Sequence, residues 1–329
     1  MSVSSAGWVL RLAACWALCC CALAWAEFPE HPITLVVPFP AGGPTDKLAH
    51  DLARLMSKSL GKPLMVEPQG GSGGVVGTTR VAHAVPDGYT LLLHHFGIAA
   101  TPSLYPDLKY RPLDDFEYLG MVTEVPMLVL GRRGLPPSTP AELLKWIHAH
   151  SGPISLANSG RGSASHLCGM LLQQAFRRGM VSVPYKGSAP ALAELEADQV
   201  DLLCDQTVST LGPIESGRIK AYAATTPQRV QLASLNALPT LQELGFKGFS
   251  LSAWAGLYAP RGTPRAIVEK LNAALQMALK DPEFRRNQEA VGALIIHDDR
   301  LTPVGHKRFV SGEIDRWAGV VRQAGAFAE

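Results

Sequence analysis

The sequence lacks an excess of charge of either sign. Its 329 residues include 30 Lys and Arg and 28 Asp and Glu, which gives a formal net charge of +2. It also has no basic run and no arginine-rich face, which nucleic-acid-binding proteins usually display. We therefore expect no nucleic-acid partner.

Long apolar runs are missing after the N-terminus. Residues 1–26 carry a single charge, Arg11, and an apolar stretch, Leu12–Leu23, which is followed by the A-x-A pattern Ala24-Trp25-Ala26. That stretch is shorter than the about 20 residues that a membrane-spanning helix needs. We therefore expect residues 1–26 to be a cleaved signal peptide that directs the chain to the periplasm. Removal of Arg11 lowers the net charge from +2 to +1.

Cysteine is scarce beyond the signal segment. Four of the six cysteines (15, 19, 20 and 21) lie in residues 1–26, so Cys168 and Cys204 remain. The consecutive cysteines leave a lipoprotein as the alternative to a cleaved signal, although Leu18-Cys19-Cys20 makes a poor lipobox. Cys168 lies in an apolar helical run and Cys204 ends an apolar strand, so we predict two free, buried core residues. A disulfide is the alternative in an oxidising compartment.

Short apolar runs alternate with amphipathic stretches along most of the chain. This alternation predicts an α/β fold with mostly parallel sheets flanked by helices. The length indicates about two domains. Residues 263–329 are predicted to be entirely helical, with Thr263, Asp281 and Thr302 as helix caps before proline. The predicted strands are Ile33–Phe39, Pro63–Glu67, Thr90–His95, Ile154–Asn158, Val181–Tyr185, Val200–Asp205 and Lys220–Thr225.

Two longer extended segments divide the predicted strands into two sets. Val122–Arg132 and Leu251–Ala259 lack turn signals and are interpreted as two crossings between the lobes of a bilobed protein. The first lobe then comprises residues 27–124 plus 253–329, and the second lobe comprises residues 125–252. A ligand cleft is expected between the lobes, because open α/β sheets bind ligands at the carboxyl ends of their strands.

The loop Pro38–Asp46 joins the first strand to a helix. A helix N-terminus presents free backbone N–H groups and a positive dipole end, which together suit an anion. Gly42 and Gly43 let the backbone approach a ligand, Thr45 offers a hydroxyl and Phe39 is a candidate wall of the site. The alternative is an ordinary strand–helix turn. Asp46 is predicted to cap the helix in either case.

Two further loops have the same character. Gln69–Gly77 is glycine-rich and weakly resembles a dinucleotide-binding turn, but it follows the second strand and not the first. Asn158–Leu167 combines glycines and hydroxyls at a helix start, which can hold a carboxylate. The alternative interpretation of this loop is the active site of a serine hydrolase in which Ser163 is paired with His166. The G-x-S-x-G pattern of such enzymes is absent.

Polar residues also end two of the predicted strands. Alternation along a strand sends His94 and His95 to opposite faces, so at most one of them should reach the cleft. Asp205 ends another strand. There it can accept a hydrogen bond from an amine or hydroxyl of a ligand, or act as a cap or turn residue. The histidines show no metal-ligand spacing. We therefore expect neither a metal nor another cofactor.

Several motifs resemble the receptor family of tripartite tricarboxylate transporters, the Bug-type periplasmic solute-binding proteins. The resemblance extends from about Ile33 to Gly325, nearly the whole mature chain. The motifs that carry it are PFPAGGPTD, GGSGGVVGTTRVAHAVPDGYTLL, SLYPDLKY, GRGSASHL, VPYKGSAPAL, VDLLCD, LPTLQELG and APRGTP.

The resemblance implies a type II periplasmic-binding-protein fold with two lobes that close on a hinge, and no catalytic activity. Family members bind small carboxylates or amino acids and present them to membrane transporter subunits or to a sensor protein. A stand-alone sensor is a further possibility, and we expect a monomer. The expected ligand-binding residues are Phe39, Ala41, Gly42, Gly43, Thr45, Gly73, Gly74, His95, Ser159, Gly160, Arg161, Gly162, Ser163 and Asp205.

The chain departs from the family pattern at three positions. Pro68 and Thr101 stand where the family usually has Asn, and Arg161 occupies a loop position that is more often neutral. Lys186, in the YKG turn, is expected to be structural or to line the rim. Our hypothesis is that Arg161 adds a charge contact to a second carboxylate of the ligand.

Overall fold

Two β-sheets that share one long strand organise the chain. The computed structural model describes residues 28–324. The strands of this range are β1 (Ile33–Val37), β2 (Leu64–Pro68), β3 (Thr90–His95), β4 (Phe116–Arg132), β5 (Ser155–Asn158), β6 (Val181–Pro184), β7 (Leu202–Gln206), β8 (Ile219–Ala224), β9 (Ser252–Pro260) and β10 (Leu294–Ile295).

Helices cover both sheets. They are α1 (Pro44–Leu60), α2 (Val75–Ala82), α3 (Gly97–Leu104), α4 (Pro140–Ala149), α5 (Ala164–Phe176), α6 (Ser188–Glu196), α7 (Thr207–Glu215), α8 (Arg265–Lys280), α9 (Pro282–Glu289) and α10 (Pro303–Ala324). Short 3₁₀ turns lie at Ser72–Gly74 and Asp299–Leu301.

The first sheet is built around β1. Strand β1 pairs in parallel with β2 and with β3, and β3 pairs antiparallel with β9. The side chains of Ile33, Leu35, Val36 and Val37 are fully buried, which is expected of a parallel strand that is covered on both faces. Helix α1 packs onto this sheet through the apolar stripe that begins at Leu48.

The second sheet is built around β5 and β7. Strand β5 pairs in parallel with β6 and with β7, as the alternating pattern predicts. The last part of β4 lies antiparallel to β7 and to β8. Parallel pairing is thus found among the strands that are joined by helices, whereas the pairs made by β4 are antiparallel.

The long strands β4 and β9 connect the two sheets. They pair antiparallel with each other from Phe116 to Pro126, because one runs towards the second sheet and the other returns from it. After Pro126, the partners of β4 change to β7 and β8, beginning with the pair Met127 and Gln206. The two extended segments that the sequence predicts are therefore present, and they lie side by side.

The C-terminal segment differs from its prediction in two respects. Leu294 and Ile295 form a short strand on the edge of β4, so residues 263–329 are not entirely helical. Thr263 does not cap a helix, because its hydroxyl donates to the carbonyl oxygen of Pro260 and α8 begins only at Arg265. The other two caps are present. Asp281 accepts from two first-turn N–H groups of α9, and Thr302 accepts from the N–H of Gly305.

The prediction of two free cysteines is wrong. Cys168 and Cys204 form a disulfide with a Cα–Cα distance of 6.0 Å. Cys168 lies on α5, which follows β5, and Cys204 lies on β7, the neighbour of β5 in the sheet. Both residues are fully buried as predicted. The sequence does not reveal their proximity, because it depends on the order of the strands.

The predicted signal peptide, with Arg11 and its four cysteines, lies outside the described residues. Within residues 28–324, no helix combines the length and the apolar character that a membrane crossing requires.

The disulfide should contribute measurably to stability. It closes a loop with a sequence separation of 36 residues, and loss of such a constraint on the unfolded chain costs about 2–4 kcal/mol. We expect the double variant Cys168→Ala/Cys204→Ala to lose free energy of unfolding by about that amount in urea denaturation. Reductant should destabilise the wild-type chain and leave the double variant unchanged. Equal free energies of unfolding for the wild type and the double variant, both measured without reductant, would contradict this expectation.

Candidate functional site

A cavity lies between the two sheets, at the carboxyl ends of five strands. It offers about 70 Å³ to the centres of water molecules, which is room for roughly five waters or one small organic molecule. Loops after β1 and β3 line one side of it, and loops after β5, β6 and β7 line the other. The lining residues are Phe39, Pro40, Ala41, Gly43, Pro44, Thr45, His95, Ser159, Ser163, Ala164, Ser165, Lys186, Gly187, Ser188, Ala189, Pro190 and Gln206.

Four helices begin at this cavity. The residues that precede α1, α5, α6 and α7 are Gly43, Ser163, Gly187 and Gln206, and all four line it. Helices α1, α6 and α7 have no side-chain cap. Their first-turn N–H groups have no acceptor within the helix, and each helix start carries a partial positive charge. The cavity therefore combines hydrogen-bond donors with a positive potential.

The loop after β1 turns its carboxylate away from the cavity. Asp46 Oδ2 accepts from the backbone N–H of Gly42 at 2.7 Å, which fixes the loop from within. Asp46 lies in the first turn of α1, whereas the capping position belongs to Gly43, so the prediction that Asp46 caps this helix is wrong. Because Asp46 is engaged with the loop, Thr45 and the backbone of Gly43 face the cavity without a neighbouring acid.

Two aromatic rings form one wall of the cavity. The ring of Phe39 stacks on that of His95 at a centroid distance of 4.2 Å. His95 Nδ1 accepts from the N–H of Gly97 at 2.8 Å, and burial holds the pKa of His95 well below its usual value. The neutral ring then carries its proton on Nε2, which makes it a donor at the cavity.

His94 points away from the cavity, as the alternation of a strand requires. It is fully buried, and its Nδ1 lies 2.7 Å from the carbonyl oxygen of His95. Burial lowers the pKa of His94 to about 4, so the imidazole is neutral at physiological pH.

A chain of hydroxyl groups forms the opposite wall. Ser165 Oγ lies 2.9 Å from Ser159 Oγ and 3.2 Å from Ser163 Oγ, and Ser159 Oγ lies 3.0 Å from Ser188 Oγ. Ser165 Oγ also accepts from the N–H of Ser159 at 2.7 Å. Hydroxyls can donate to an anion and accept from a hydroxylated ligand, so this wall suits an oxygen-rich molecule.

Ser163 and His166 do not form a nucleophile–base pair. Ser163 Oγ accepts from the backbone N–H of His166 at 3.2 Å, which is a helix cap. The imidazole Nδ1 of His166 instead accepts from the N–H of Gly162 at 3.3 Å. Burial lowers the pKa of His166 to about 4. Ser163 and His166 therefore stabilise the start of α5 through hydrogen bonds with the backbone.

Asp205 lies behind the cavity lining and is 1% exposed. Its Oδ1 accepts from the N–H of Gln206 at 2.8 Å, whereas Oδ2 has no hydrogen-bond partner within residues 28–324. Burial raises the pKa of Asp205 to about 6, against the opposing effect of the hydrogen bond from Gln206. The carboxyl group of Asp205 therefore takes up a proton when the pH falls to about 6.

Seven of the fourteen expected ligand-binding residues line the cavity. These are Phe39, Ala41, Gly43, Thr45, His95, Ser159 and Ser163. The other seven do not line it, and they are Gly42, Gly73, Gly74, Gly160, Arg161, Gly162 and Asp205. Contact of any of the fourteen with a ligand stays a prediction.

Three of the residues outside the cavity lie where the two sides of the cleft meet. Arg161 donates from Nη2 to the carbonyl oxygen of Leu104 at 3.0 Å, and its guanidinium stands 5.5 Å from the ring centroid of Tyr105. The Tyr105 hydroxyl donates to the Arg161 carbonyl oxygen at 3.0 Å. Gly73 packs against Gly162 so closely that a Cβ at Gly73 would clash with the Arg161 carbonyl oxygen.

Several lining residues in the second half of the cleft were not predicted from the sequence. Gly187 precedes α6, whose first residues are Ser188 and Ala189, and Gln206 is the last residue of β7 and directly precedes α7. The signal for Gly187 was available, because a glycine before a helix start is the pattern used to select Gly43. Gln206 offered no such signal. Its place in the cavity depends on the position of β7 beside β5.

A metal centre is not indicated. Among the described residues, no group of three or more His, Cys, Asp and Glu side chains is arranged to hold a metal ion.

Comparison with known proteins gives one consistent result. Residues 48–326 match the family described as "Tripartite tricarboxylate transporter family receptor". A similar curated protein is the "UPF0065 protein in the TAR-I ttuE-ttuC' intergenic region" of Agrobacterium vitis. It is 42% identical over 299 residues, which cover 91% of this chain and 86% of that protein.

Solved structures agree with this result. The structure of the periplasmic binding protein BugD is similar with a TM-score of 0.86 and 44% identity, over 91% of this chain and 99% of that chain. MatC from Rhodopseudomonas palustris with bound malate is similar with a TM-score of 0.84 and 40% identity, over 89% of this chain and 100% of that chain. These similarities confirm the expected two-lobed periplasmic-binding-protein fold.

The buried carboxyl group of Asp205 should make stability depend on pH. Its pKa of about 6 in the folded chain exceeds the ordinary value of 3.8. Between these values, the folded chain keeps a proton that the unfolded chain releases, so stability falls as the pH rises from about 4 to about 6. Asp205→Asn removes this loss. We expect the variant to gain on the order of 2 kcal/mol relative to wild type between pH 4 and pH 8, measured by urea unfolding.

The pH dependence of this difference is the decisive quantity. Other titrating groups are common to both proteins, and the hydrogen bonds of the introduced asparagine amide add a contribution that does not change with pH. A stability difference of equal size at pH 4 and at pH 8 would contradict an elevated pKa for Asp205.

Proposed function

The chain belongs to the tripartite tricarboxylate transporter receptor family, and we propose that it captures a small carboxylate and presents it to a membrane transporter. Members of this family are periplasmic solute-binding receptors and not enzymes. The export signal over residues 1–26, action as a monomer and a transporter or sensor protein as partner are parts of the same proposal.

The observation that carries this proposal is the convergence of four helix N-termini on one cavity. Three of the four starts lack a side-chain cap, so their N–H groups are available to a ligand. Lys186 is the only residue with a formal charge among those that line the cavity, since His95 is held neutral. Donors, helix dipoles and one lysine together favour an anion, and they exclude a cation as the preferred ligand.

The size and the polar walls narrow the proposed ligand to a small organic acid. The cavity holds about as much as a few water molecules, and the serine hydroxyls of its second wall suit carboxylate or hydroxyl oxygens. MatC, whose structure contains malate, shares 40% of its sequence with this chain. A compact carboxylate with further oxygen atoms is therefore the proposed minimal ligand.

The proposed mode of action is closure of two lobes around the acid. We assign residues 27–124 and 253–329 to one lobe and residues 125–252 to the other. Strands β4 and β9 are the covalent connections between the two sheets and therefore the proposed hinge. The contacts of Arg161 with Leu104 and Tyr105 then join the closed lobes at the mouth of the cleft. A ligand held by both lobes favours this closed arrangement, which a partner can recognise.

A carboxylate introduced at one of these helix starts should compete with the ligand. Ala189 is the second residue of α6 and lines the cavity. Ala189→Asp places a negative charge there, which suits the helix dipole and opposes a bound anion. We expect it to weaken malate or succinate binding by at least about tenfold, measured by calorimetry, without loss of thermal stability.

The matched control is Ala189→Asn, which has nearly the same shape and no charge. It should retain most of the affinity. Equal affinities of the Asp and Asn variants for malate or succinate would contradict the binding of an anion at the N-terminus of α6. If no carboxylate binds the wild-type chain while a neutral sugar or an amine does, the proposed function is wrong.

Closure can be tested at Gly73. Its φ of +62° is strained for an alanine, and a Cβ there would clash across the cleft with Arg161. Gly217 has a similar φ of +66° but no atom near the position of a Cβ, so Gly217→Ala reproduces the backbone strain alone. We expect Gly73→Ala to weaken carboxylate binding by at least about tenfold and Gly217→Ala to leave it unchanged, measured by calorimetry. Equal affinities in the two variants would argue against closure at Gly73.

A further inference from the structure

A second and larger cavity lies beside the first. It offers about 280 Å³ to the centres of water molecules, about four times the 70 Å³ of the first cavity. Both cavities are lined by Pro44, Thr45, His95 and Gln206, so these four residues form the junction between two neighbouring cavities. We call the second one the distal cavity. It extends from the junction to the paired strands β4 and β9 and to the segment that follows α9.

Apolar side chains form half of the lining of the distal cavity. Leu48, Val125, Val208, Ala253 and Val291 belong to α1, β4, α7, β9 and the segment after α9, and they line it from several sides. Such a lining favours a hydrocarbon chain, because burial of apolar surface removes it from water.

Among the described residues that line the distal cavity, Lys47 and Asp51 carry formal charges of opposite sign. Lys47 and Asp51 lie four residues apart on α1, and both line the cavity. Asp51 Oδ2 accepts from Gln288 Nε2 at 3.1 Å, so this carboxylate is partly satisfied. With one charge of each sign, this lining carries no net formal charge that would select a cation or an anion. An uncharged group fits it best.

One buried hydroxyl in the distal cavity has no partner. Thr123 is fully buried on β4, and its Oγ1 makes no hydrogen bond within residues 28–324. A buried hydroxyl without a partner is unfavourable, and a ligand that hydrogen-bonds to it recovers the loss. Oγ1 is closed off in the present rotamer, and a rotation of roughly 120° about χ1 would carry it to the position of the methyl group, from which an occupant of the cavity could be reached.

We propose that the distal cavity is a subsite for the uncharged tail of the acid whose carboxylate occupies the first cavity. The chain of the acid passes Thr45 and His95 at the junction, lies against the apolar walls, and ends in a hydroxyl or carbonyl group near Thr123. This inference rests on the proposed function and names its substrate class. The preferred ligands are chain-extended acids with a hydrogen-bonding, uncharged end, in preference to compact dicarboxylates.

The first experiment fills the distal cavity. Val208→Phe enlarges a side chain that lines the distal cavity and not the first one. We expect this variant to lower the affinity for ω-hydroxyhexanoate, relative to that for succinate, by about tenfold in calorimetry. The reason is that several methylene groups of the longer ligand can no longer be buried in the distal cavity. Val85→Phe makes the same change at an exposed loop position and should leave the ratio unaltered.

The second experiment isolates the hydroxyl of Thr123. Hexanoate and ω-hydroxyhexanoate differ only in the terminal hydroxyl, and Thr123→Val keeps the shape of the side chain while removing its Oγ1. In the wild-type chain, the ligand hydroxyl should improve binding by about three- to tenfold. In Thr123→Val, this gain should vanish. The comparison is independent of the Val208 variant, so poor folding of one protein leaves the other test intact.

The outcomes separate this inference from the proposed function. If succinate binds but Val208→Phe leaves the affinity ratio unchanged, or if the hydroxyl gain persists in Thr123→Val, the distal subsite is wrong and the carboxylate receptor stands. If no carboxylate binds the wild-type chain, the proposed function fails, and the inference fails with it.

Discussion

The antiparallel pairing of β4 with β9 is the interaction on which the rest of the structure depends. Strand β4 pairs in both sheets, β9 returns the chain to the first sheet, and their shared ladder from Phe116 to Pro126 sets the two sheets side by side. Because the partners of β4 change directly after this ladder, the carboxyl ends of β1 and β3 face those of β5, β6 and β7. The loops at these strand ends then enclose one cleft.

The chemistry of the cleft follows from what those strand ends carry. Each is followed by a short loop and a helix start, so backbone donors from distant parts of the chain meet at one point. Acidic groups near this point are turned inwards, Asp46 to its own loop and Asp205 to the interior. The proposed binding of an anion there would need little formal positive charge, since helix dipoles and N–H groups supply the potential.

Much of the fold and about half of the site could be predicted from the sequence. Gly43 and Thr45 were found because a glycine or hydroxyl before an amphipathic run marks a helix start, which is a local signal. Gln206 was missed, and Arg161 lies outside the cavity lining, because their positions depend on which strands are neighbours. The disulfide partners Cys168 and Cys204 were missed for the same reason. Thr263 shows a different failure, since its hydroxyl found a better acceptor at Pro260.

The sequence by itself determined most of the elements of this protein, several of the points at which its helices begin, and its family resemblance. These properties arise from hydrophobic period, capping residues and motifs, which act within a few residues of each other. Only the tertiary structure decided that four helix starts meet in one cavity, that Asp205 is buried behind it, and that a second cavity lies beside the first. Those relations join residues far apart in the chain, and strand order and lobe packing fix them.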